Sequence, residues 1–169
     1  MIKAYVTNLG KYNEGRLIGE WVTFPIDEDE QAALFERIGI NKQYEGIFMT
    51  DYENDINIDE LGEFTSIKRL NEIAEQLDAL DDYEIEIVKA LTGYGYTVEA
   101  AIDAIDDCIY YDNVSSMTEV AEQLVEECDL LHDVPDSLKY YFDYQAYGRD
   151  LGLEGTFIFT DNGCIEVVQ

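Results

Sequence analysis

Residues 70–138 carry nineteen Asp or Glu side chains and only one Lys or Arg, Lys89. The same stretch is rich in Leu, Ile, Val and Tyr, a composition typical of a folded acidic surface and not of a disordered tail. Any fold of this chain must therefore hold many like charges at its surface while apolar side chains pack beneath them. Over the whole chain, 38 acidic residues against 10 Lys and Arg give a formal net charge of −28.

This charge restricts the partners that the chain can have. Nucleic-acid-binding surfaces bring Lys and Arg to phosphates, and anionic membranes attract basic segments, so we expect direct binding to neither. A partner should be basic, or the acid should serve solubility or a cation. Solubility alone does not require the excess, because a small domain typically carries a net charge of about 2 to 8 in magnitude.

Length and composition predict a folded protein of the cytoplasm. The chain has 169 residues and is 47% hydrophobic, enough to bury a sizeable core. Its three cysteines, Cys108, Cys128 and Cys164, show no close pairing, which predicts reduced thiols buried as small apolar side chains. Met1-Ile2-Lys3 leads directly into strand-like alternation, and no apolar run approaches about 20 residues, so we expect neither export nor a membrane span.

Residues 1–62 predict a small α+β domain. The segments rich in β-branched and aromatic residues that we expect to be strands are 3–8, 17–24 and 46–51. The first two flank a turn at residues 10–15, favoured by its glycines and Asn. Between the second and third strands, Asp27 can cap a helix that ends at Gly39 and turns Ala33, Leu34 and Ile38 inward.

Residues 63–106 predict an all-helical domain, because apolar residues recur there at helical spacing. One helix should start near Thr65, and a second should run from Asp81 or Asp82 to Leu91, where Gly93-Tyr94-Gly95 breaks it. Thr97 can cap the third helix. The side chains that we expect to pack inward are Ile67, Leu70, Ile73, Ala74, Leu77, Leu80, Val98, Ala101, Ile102 and Ile105.

Residues 107–169 predict a second α+β domain. Cys108 to Tyr111 reads as a strand, Ser116 and Glu119 form a capping box for the next helix, and strands at 156–160 and 164–168 flank a hairpin turn. The apolar stripe expected on the capped helix is Met117, Ala121, Leu124, Cys128 and Leu131.

A further helix in this domain should start near Pro135 and run to about Tyr147, where Gly148 ends it. Its Tyr140, Tyr144 and Tyr147 would share a face, for which core packing is the favoured explanation over a binding platform. The predicted fold class is thus α+β, an elongated chain of three small domains that are α+β, all-helical and α+β in turn.

Acidic side chains fall on the faces opposite these apolar stripes. On the helix after Ser116 they step by three and four residues, a spacing that costs a few tenths of a kcal/mol per pair of like charges. Because this helix carries several such pairs, we infer that its acidic side chains serve a function. The carboxylates that we predict to form the binding surface are Glu72, Glu75, Asp78, Asp82, Glu86, Glu99, Asp103, Asp106, Asp107, Glu119, Glu122, Glu126, Glu127, Asp129 and Asp133.

Metal and catalytic motifs are weak, so we expect no cofactor and no metal. Asp51, Glu53, Asp55, Asn57 and Asp59 alternate like the start of an EF-hand loop, but Ile56 and Gly62 stand where Gly and a bidentate Glu are needed. Cys128 and His132 supply only two of the four ligands of a zinc site.

His132 is the only histidine, and no nucleophile motif lies near it. Gly93-Tyr94-Gly95 lacks the basic residue of a phosphate loop and reads as a turn. A pair of carboxylates in a hydrolase remains an open alternative, as does an acidic adaptor for another basic protein.

The amount of charge also matches a length of DNA. Duplex DNA carries one negative charge per roughly 1.7 Å of axis, so this chain has the charge of about 48 Å of duplex. Carboxylates spread over several helices are therefore sufficient in number to fill the cationic groove of a DNA-binding protein.

Blocks of sequence along the whole chain resemble the ArdA antirestriction proteins. They are Asn8-Leu9-Gly10-Lys11-Tyr12-Asn13-Glu14-Gly15, Phe24-Pro25, Asp51-Tyr52-Glu53, Val134-Pro135, Tyr141-Phe142-Asp143-Tyr144-Gln145-Ala146-Tyr147-Gly148-Arg149-Asp150-Leu151 and Gly155-Thr156-Phe157. Asn113-Val114-Ser115-Ser116 departs from the family pattern, in which we expect a further Asp or Cys.

The resemblance implies a protein without enzymatic activity that is carried on mobile genetic elements. It implies an acidic mimic of duplex DNA that occupies the DNA groove of type I restriction-modification enzymes, on their methyltransferase core, and so protects incoming DNA. It further implies an elongated, curved homodimer with its contact in the third domain. For that contact we predict the strand Cys108, Ile109, Tyr110 and Tyr111.

Overall fold

The computed structural model describes residues 1–56, 58 and 61–168. The chain divides into two compact units, a first unit Met1–Gly93 and a second unit Tyr94–Gln169. Each unit contains helices and a three-stranded antiparallel sheet, which confirms the α+β class. The three-domain division with boundaries after residues 62 and 106 stays a prediction.

The sheet of the first unit has its first strand in the centre. Strands β1 (Ile2–Asn8), β2 (Gly19–Phe24) and β3 (Ile47–Asn54) are antiparallel in the order β2-β1-β3. The expected turn between β1 and β2 contains a short helix, α1 (Leu9–Asn13). This helix forms because the Asn8 side chain accepts a hydrogen bond from the Lys11 amide, and Gly15, at φ 81°, then turns the chain.

Helix α2 (Glu28–Ile38) has the boundaries that its capping residues predict. Asp27 and Glu30 form a reciprocal capping box, and Gly39 ends the helix at φ 76°. Leu34 and Ile38 are buried as expected, but Ala33 is exposed, because the buried stripe follows the i, i+4 row of Leu34 and Ile38.

Two longer helices complete the first unit. Helix α3 (Ile67–Asp78), capped by Ser66, buries Ile67, Leu70, Ile73, Ala74 and Leu77, and helix α4 spans Asp82–Tyr94. The helix runs three residues past its predicted end at Leu91 and includes Gly93, but it does end within the predicted Gly93-Tyr94-Gly95 segment, where Gly95 follows at φ 109°. Asn71 on α3 exchanges two hydrogen bonds with the main chain of Ile26, at 2.9 and 2.8 Å, which joins the helical segment to the sheet region before α2.

The second unit starts with helix α5 (Val98–Asp103), capped by Thr97, and a 3₁₀ turn at Ile105–Asp107. Its other elements are β4 (Cys108–Asp112), α6 (Met117–Glu127), α7 (Asp136–Lys139), α8 (Tyr144–Glu154), β5 (Thr156–Phe159) and β6 (Gly163–Val167). The predicted β5–β6 hairpin is confirmed, and the antiparallel strand order is β4-β6-β5.

Helix α6 buries a different stripe from the one predicted. Val120, Ala121 and Val125 are buried, Met117 and Leu124 are half-buried, and Cys128 is exposed. Cys128 cannot continue the stripe because the helix ends at Glu127 and Cys128 is its C-cap. Of the three free cysteines, only Cys164 is a fully buried side chain, packed in one cluster with Tyr111, Val114 and Val120.

The single helix predicted from Pro135 to Tyr147 is wrong. Two helices, α7 and α8, lie in this region, and Asp143 caps the second by accepting a hydrogen bond from the Ala146 amide. Gly148 does not end a helix but lies buried within α8, where a side chain would collide with the main chain of Met117.

The expected row of three packed tyrosines is therefore absent from this part of the chain. Tyr140 lies outside both helices and is 91% exposed. Tyr144 and Tyr147 are half-buried and pack edge-on against Phe142, with ring centroids 4.9 and 5.7 Å apart.

Candidate acidic binding surface

The structure places all fifteen predicted binding carboxylates at least partly in solvent. Thirteen are exposed, and Glu86 and Glu99 are half-buried. Five lie in the first unit, on α3 and α4, and ten lie in the second unit. Exposure leaves these carboxylates accessible to a partner.

In the first unit the carboxylates lie along the outer faces of α3 and α4. Lys68 lies 3.6 Å from Glu72 and Lys89 lies 3.0 Å from Glu86, so these two charges are partly balanced. Among the described residues, no cationic group forms an ion pair with Glu75, Asp78 or Asp82. These three carboxylates present uncompensated negative charge.

Helix α6 carries the most regular row of acids in the second unit. Glu119, Glu122 and Glu126 are all exposed and follow one another at spacings of three and four residues. A rise of about 1.5 Å per residue places successive carboxylates of this row about 5 Å apart along the helix axis. Glu122 and Glu126 have no ion-pair partner within the described part of the chain.

The row does not continue as a helix beyond Glu127. Asp129 adopts a left-handed conformation at φ 47°, and Asp133 lies in a turn segment, so neither carboxylate continues the helical row. Both carboxylates are nevertheless exposed, and the imidazole Nε2 of His132 lies 3.0 Å from Asp133.

Glu119 has a local role as well as an exposed charge. The Ser116 hydroxyl accepts a hydrogen bond from the Glu119 amide, as the capping box predicts, and the Glu119 carboxylate accepts hydrogen bonds from the amide and hydroxyl of Ser115. These hydrogen bonds from Ser115 hold the pKa of Glu119 below its usual value. The carboxylate is therefore held in its charged form.

Several of these acids lie at the wrong end of a helix for helix stability. Asp78 ends α3, Asp103 ends α5, and Glu126 and Glu127 end α6, and none of these last turns carries a basic residue. The C-terminal end of a helix has partial negative charge, so a carboxylate there is unfavourable by about 0.3–1 kcal/mol. Three helices with the same unfavourable placement indicate that the charge serves a purpose other than folding.

Some exposed acidic residues were not included in the predicted binding surface. Glu28, Asp29 and Glu30 form the exposed first turn of α2, and Asp112 and Asp136 are exposed in the second unit. The α2 acids lie at the N-terminal end of their helix, where negative charge is favourable, so unlike the acids at the C-terminal ends they cost the helix no stability.

The described residues contain no group of three or more His, Cys, Asp or Glu side chains placed to hold a metal ion. Asn57 and Asp59 of the EF-hand-like run lie outside the described residues. Glu20 accepts two hydrogen bonds from the Arg37 guanidinium, at 2.8 and 2.9 Å, and these lower its pKa. A carboxyl that acts as general acid needs a raised pKa, so the shifts of Glu20 and Glu119 are both opposite to that need.

The strand predicted as the dimer contact lies at the edge of its sheet. Strand β4 pairs with β6 alone among the described strands, which leaves its second edge unpaired. Ile109 is exposed and Cys108 and Tyr110 are half-buried, but the Tyr111 side chain is buried and donates a hydrogen bond to Glu166 at 2.7 Å. The Tyr111 side chain is therefore not available to a second strand at this edge.

Two compact α+β units that expose unpaired carboxylates on several helices define a class of protein: a strongly acidic protein suited to binding a basic surface. The sequence profile of the ArdA antirestriction protein family matches residues 4–166. The chain belongs to this family and is an antirestriction protein, which implies an interaction with restriction-modification enzymes. The comparison with individual curated proteins gives no match. No helix in the described part of the chain is both long and apolar enough to cross a membrane.

Proposed function

We propose that the chain is a mimic of duplex DNA that occupies the DNA groove of type I restriction-modification enzymes, on their methyltransferase core. The carboxylates stand in for phosphates and interact with the Lys and Arg side chains that normally bind DNA. An occupied groove cannot bind incoming DNA, which is thereby protected. In this proposal the protein acts in the cytoplasm, where it serves the mobile element that carries it.

The observation that carries this proposal is the placement of acids on α3, α5 and α6 at helix ends where they weaken the helix. Selection for stability alone would place Lys or Arg there. A partner whose groove carries Lys and Arg offsets this cost. On binding, its cations pair with the carboxylates, and the counterions that surrounded these charges are released.

The spacing of the acids supports the same proposal. Carboxylates about 5 Å apart along α6 have a spacing comparable to that of phosphates in duplex DNA, which rise about 3.4 Å per phosphate on each strand. The rise between charges is larger on α6 than in DNA, so the long Lys and Arg side chains of such a groove must shift to meet successive carboxylates.

We further propose that the protein forms a homodimer through the free edge of β4. Main-chain groups at an unpaired strand edge readily pair with a second strand, and the exposed Ile109 adds apolar area. Measurement of the mass in solution by light scattering tests this contact. A Tyr110→Pro substitution, which removes one amide at the edge and restricts the backbone, should shift the protein towards the monomer. A mass of one chain for the unsubstituted protein would refute the dimer.

Salt dependence of binding tests the mimicry. The affinity for a type I methyltransferase core should fall steeply between about 50 and 200 mM NaCl, as expected for a partner that replaces phosphates, and a DNA duplex carrying the target site should compete. The double variant Glu122→Gln/Glu126→Gln should bind more weakly and show a shallower salt slope. Glu20→Gln/Glu53→Gln is the matched control, because it removes two charges that are already paired, with Arg37 at 2.8 Å and with Lys3 at 3.1 Å.

Plating of unmodified phage on restricting and non-restricting hosts completes the test. Expression of the chain should restore plating on the restricting host. Affinity that stays constant between low and moderate salt would refute the mimicry, and loss of function from one Glu→Gln substitution in a folded protein would indicate catalysis instead.

A further inference from the structure

An open cleft of about 520 Å³ lies in the first unit, on the face of the sheet that carries Tyr5 and Trp21. These two residues are paired across β1 and β2, with ring centroids 5.5 Å apart and ring planes at 75°. Tyr12 from α1 packs edge-on against Phe48 from β3 at 5.0 Å and completes the aromatic lining. The cleft thus has rings from four different elements, β1, β2, α1 and β3.

Three of the apolar side chains that line this cleft are exposed to solvent. Trp21 is 41% exposed, Tyr12 48% and Leu17 61%. Exposed apolar side chains grouped together in one place are typical of a surface that binds a partner, since isolated ones are common but grouped ones are not. Trp and Tyr are also the residues that contribute most to binding energy at protein interfaces.

The charge of the cleft lining indicates which chemical group the cleft can bind. Asp51 and Glu63 line the same cleft, both are exposed, and no cationic side chain contributes to the lining. Neither carboxylate forms an ion pair within the described residues. A group that is cationic and also packs on aromatic faces suits this combination.

We propose that the cleft binds an arginine side chain of a protein partner. The guanidinium is planar and weakly hydrated, so it can stack on Trp21 or Tyr12 while it donates hydrogen bonds to Asp51 or Glu63. A lysine ammonium is more strongly hydrated and cannot stack in this way. The identification of the partner as a restriction-modification enzyme rests on the proposed function, but the chemistry of the occupant does not.

This contact differs in kind from phosphate mimicry. Interaction of the exposed carboxylates with cations is screened by salt, whereas stacking of a guanidinium on rings depends much less on ionic strength. The cleft would therefore add a component of binding that persists at moderate salt. It would also favour partners that present arginine at the matching position over other basic surfaces.

Trp21 is the only tryptophan in the chain, so one spectroscopic signal reports on the cleft. Protein labelled with 5-fluorotryptophan gives a single ¹⁹F resonance, which can be titrated at 150 mM NaCl with an acetylated and amidated Gly-Gly-Arg-Gly-Gly peptide. Lysine and citrulline peptides of the same length serve as probes of charge and shape. We expect a saturable shift with the arginine peptide at a concentration at least about threefold lower than with the lysine peptide, and none with citrulline.

The carboxylates are tested in the same assay. The variant Asp51→Asn/Glu63→Gln should lose most of the preference for arginine. The control Glu36→Gln/Glu45→Gln removes the same charge at exposed positions of the first unit that do not line the cleft, and it should keep that preference. Equal shifts with arginine and lysine peptides, or no shift with either, would overturn the proposal.

Binding to a type I methyltransferase core distinguishes this inference from the proposed function. Trp21→Ala should weaken that binding about threefold to thirtyfold with an unchanged salt slope, whereas Tyr94→Ala, at an exposed ring outside the cleft, should have no effect. If the core binds with a steep salt slope and Trp21→Ala binds as tightly as the unsubstituted protein, the cleft proposal fails and the mimicry stands. If the core does not bind at all, the mimicry fails, and the peptide titration alone tests whether the cleft binds arginine.

Discussion

Two glycines of α8 lie four residues apart and face different surroundings. A methyl group at Gly148 would lie 2.7 Å from the carbonyl carbon of Met117, a main-chain atom that cannot move freely, whereas one at Gly152 would meet the Met117 side chain at 3.3 Å. Gly148→Ala should therefore destabilise the protein by about 1–3 kcal/mol. Gly152→Ala should be neutral or stabilise it by up to about 1 kcal/mol, because alanine favours the helix.

Urea denaturation of the two variants measures the contrast. The Gly152→Ala variant is the matched control, since it makes the same chemical change in the same helix. Equal midpoints for the two variants would show that α8 is not packed closely against the start of α6 at Gly148.

The bidentate pair of Glu20 and Arg37 predicts a dependence of stability on pH. The two hydrogen bonds from Arg37 lower the pKa of Glu20 in the folded protein below its unfolded value of 4.5. A lowered folded pKa adds stability that is present above the unfolded pKa and is lost as the pH falls through the folded pKa.

Glu20→Gln should accordingly lower stability at pH 7, by about 0.2–1 kcal/mol because both side chains are partly exposed, and the difference should shrink as the pH falls below 4.5 and through the folded pKa. Thermal melts at pH 7, 5 and 3 check this. A difference that stays constant with pH would show that the glutamine disturbs packing and that the charge is not the cause.

At the scale of single elements, helix α6 predicts opposite effects on stability and on binding. Glu122 and Glu126 are exposed like charges at i, i+4, so Glu122→Gln/Glu126→Gln should raise stability by a few tenths of a kcal/mol while it weakens binding to the restriction-modification enzyme. Glu119→Gln is the contrast on the same helix face, because a neutral amide oxygen accepts the hydrogen bonds from Ser115 more weakly than a carboxylate does, which should lower stability.

Urea midpoints and affinities at one fixed salt concentration measure both effects. Because two charges are removed, the salt slope of binding should also fall by up to about 1.8. A double variant that is less stable than the unsubstituted protein would show that these acids support the fold, contrary to the argument from like charges.

Elements with local signals were predictable from the sequence, and elements fixed by packing were not. Asp27 with Glu30 and Gly39 each act within one turn of α2, so both ends of that helix were predicted correctly. Gly148 has the same sequence signature as a helix end, but the structure uses its lack of a side chain for close contact with Met117. No local pattern distinguishes these two uses of glycine, because the second depends on a residue 31 positions away.

At the scale of the whole molecule, the exposure of the acidic side chains could be predicted from the sequence, and the aromatic cleft could not. All predicted carboxylates are at least partly exposed, since a charged side chain without a partner is rarely buried. The cleft combines Tyr5, Trp21 and Phe48 from three strands with Tyr12 from helix α1, and each of these residues alone is typical of an ordinary core. Only the register that pairs Tyr5 with Trp21 reveals that the rings form one surface.

Net charge predicts opposite effects of salt on folding and on binding. Thirty-eight acids against ten Lys and Arg repel one another in the compact state more than in the unfolded chain, and salt shortens the reach of that repulsion from about 30 Å at 0.01 M to about 8 Å at 0.15 M. The melting temperature should therefore rise with NaCl over this range, by about 2–4 °C for each kcal/mol of repulsion relieved. Affinity for the restriction-modification enzyme should fall over the same range, because the same ions screen the carboxylates from the cations of the groove.

Calorimetry and binding measurements on identical samples test both the rise in melting temperature and the fall in affinity. The variant Glu122→Gln/Glu126→Gln should show a smaller effect of salt on both quantities. A melting temperature that falls with salt would mean that attraction outweighs repulsion within the fold. In that case the acids would not be held at the surface against their mutual repulsion. They would already form ion pairs within the fold, and they would not be available to the cations of the proposed groove.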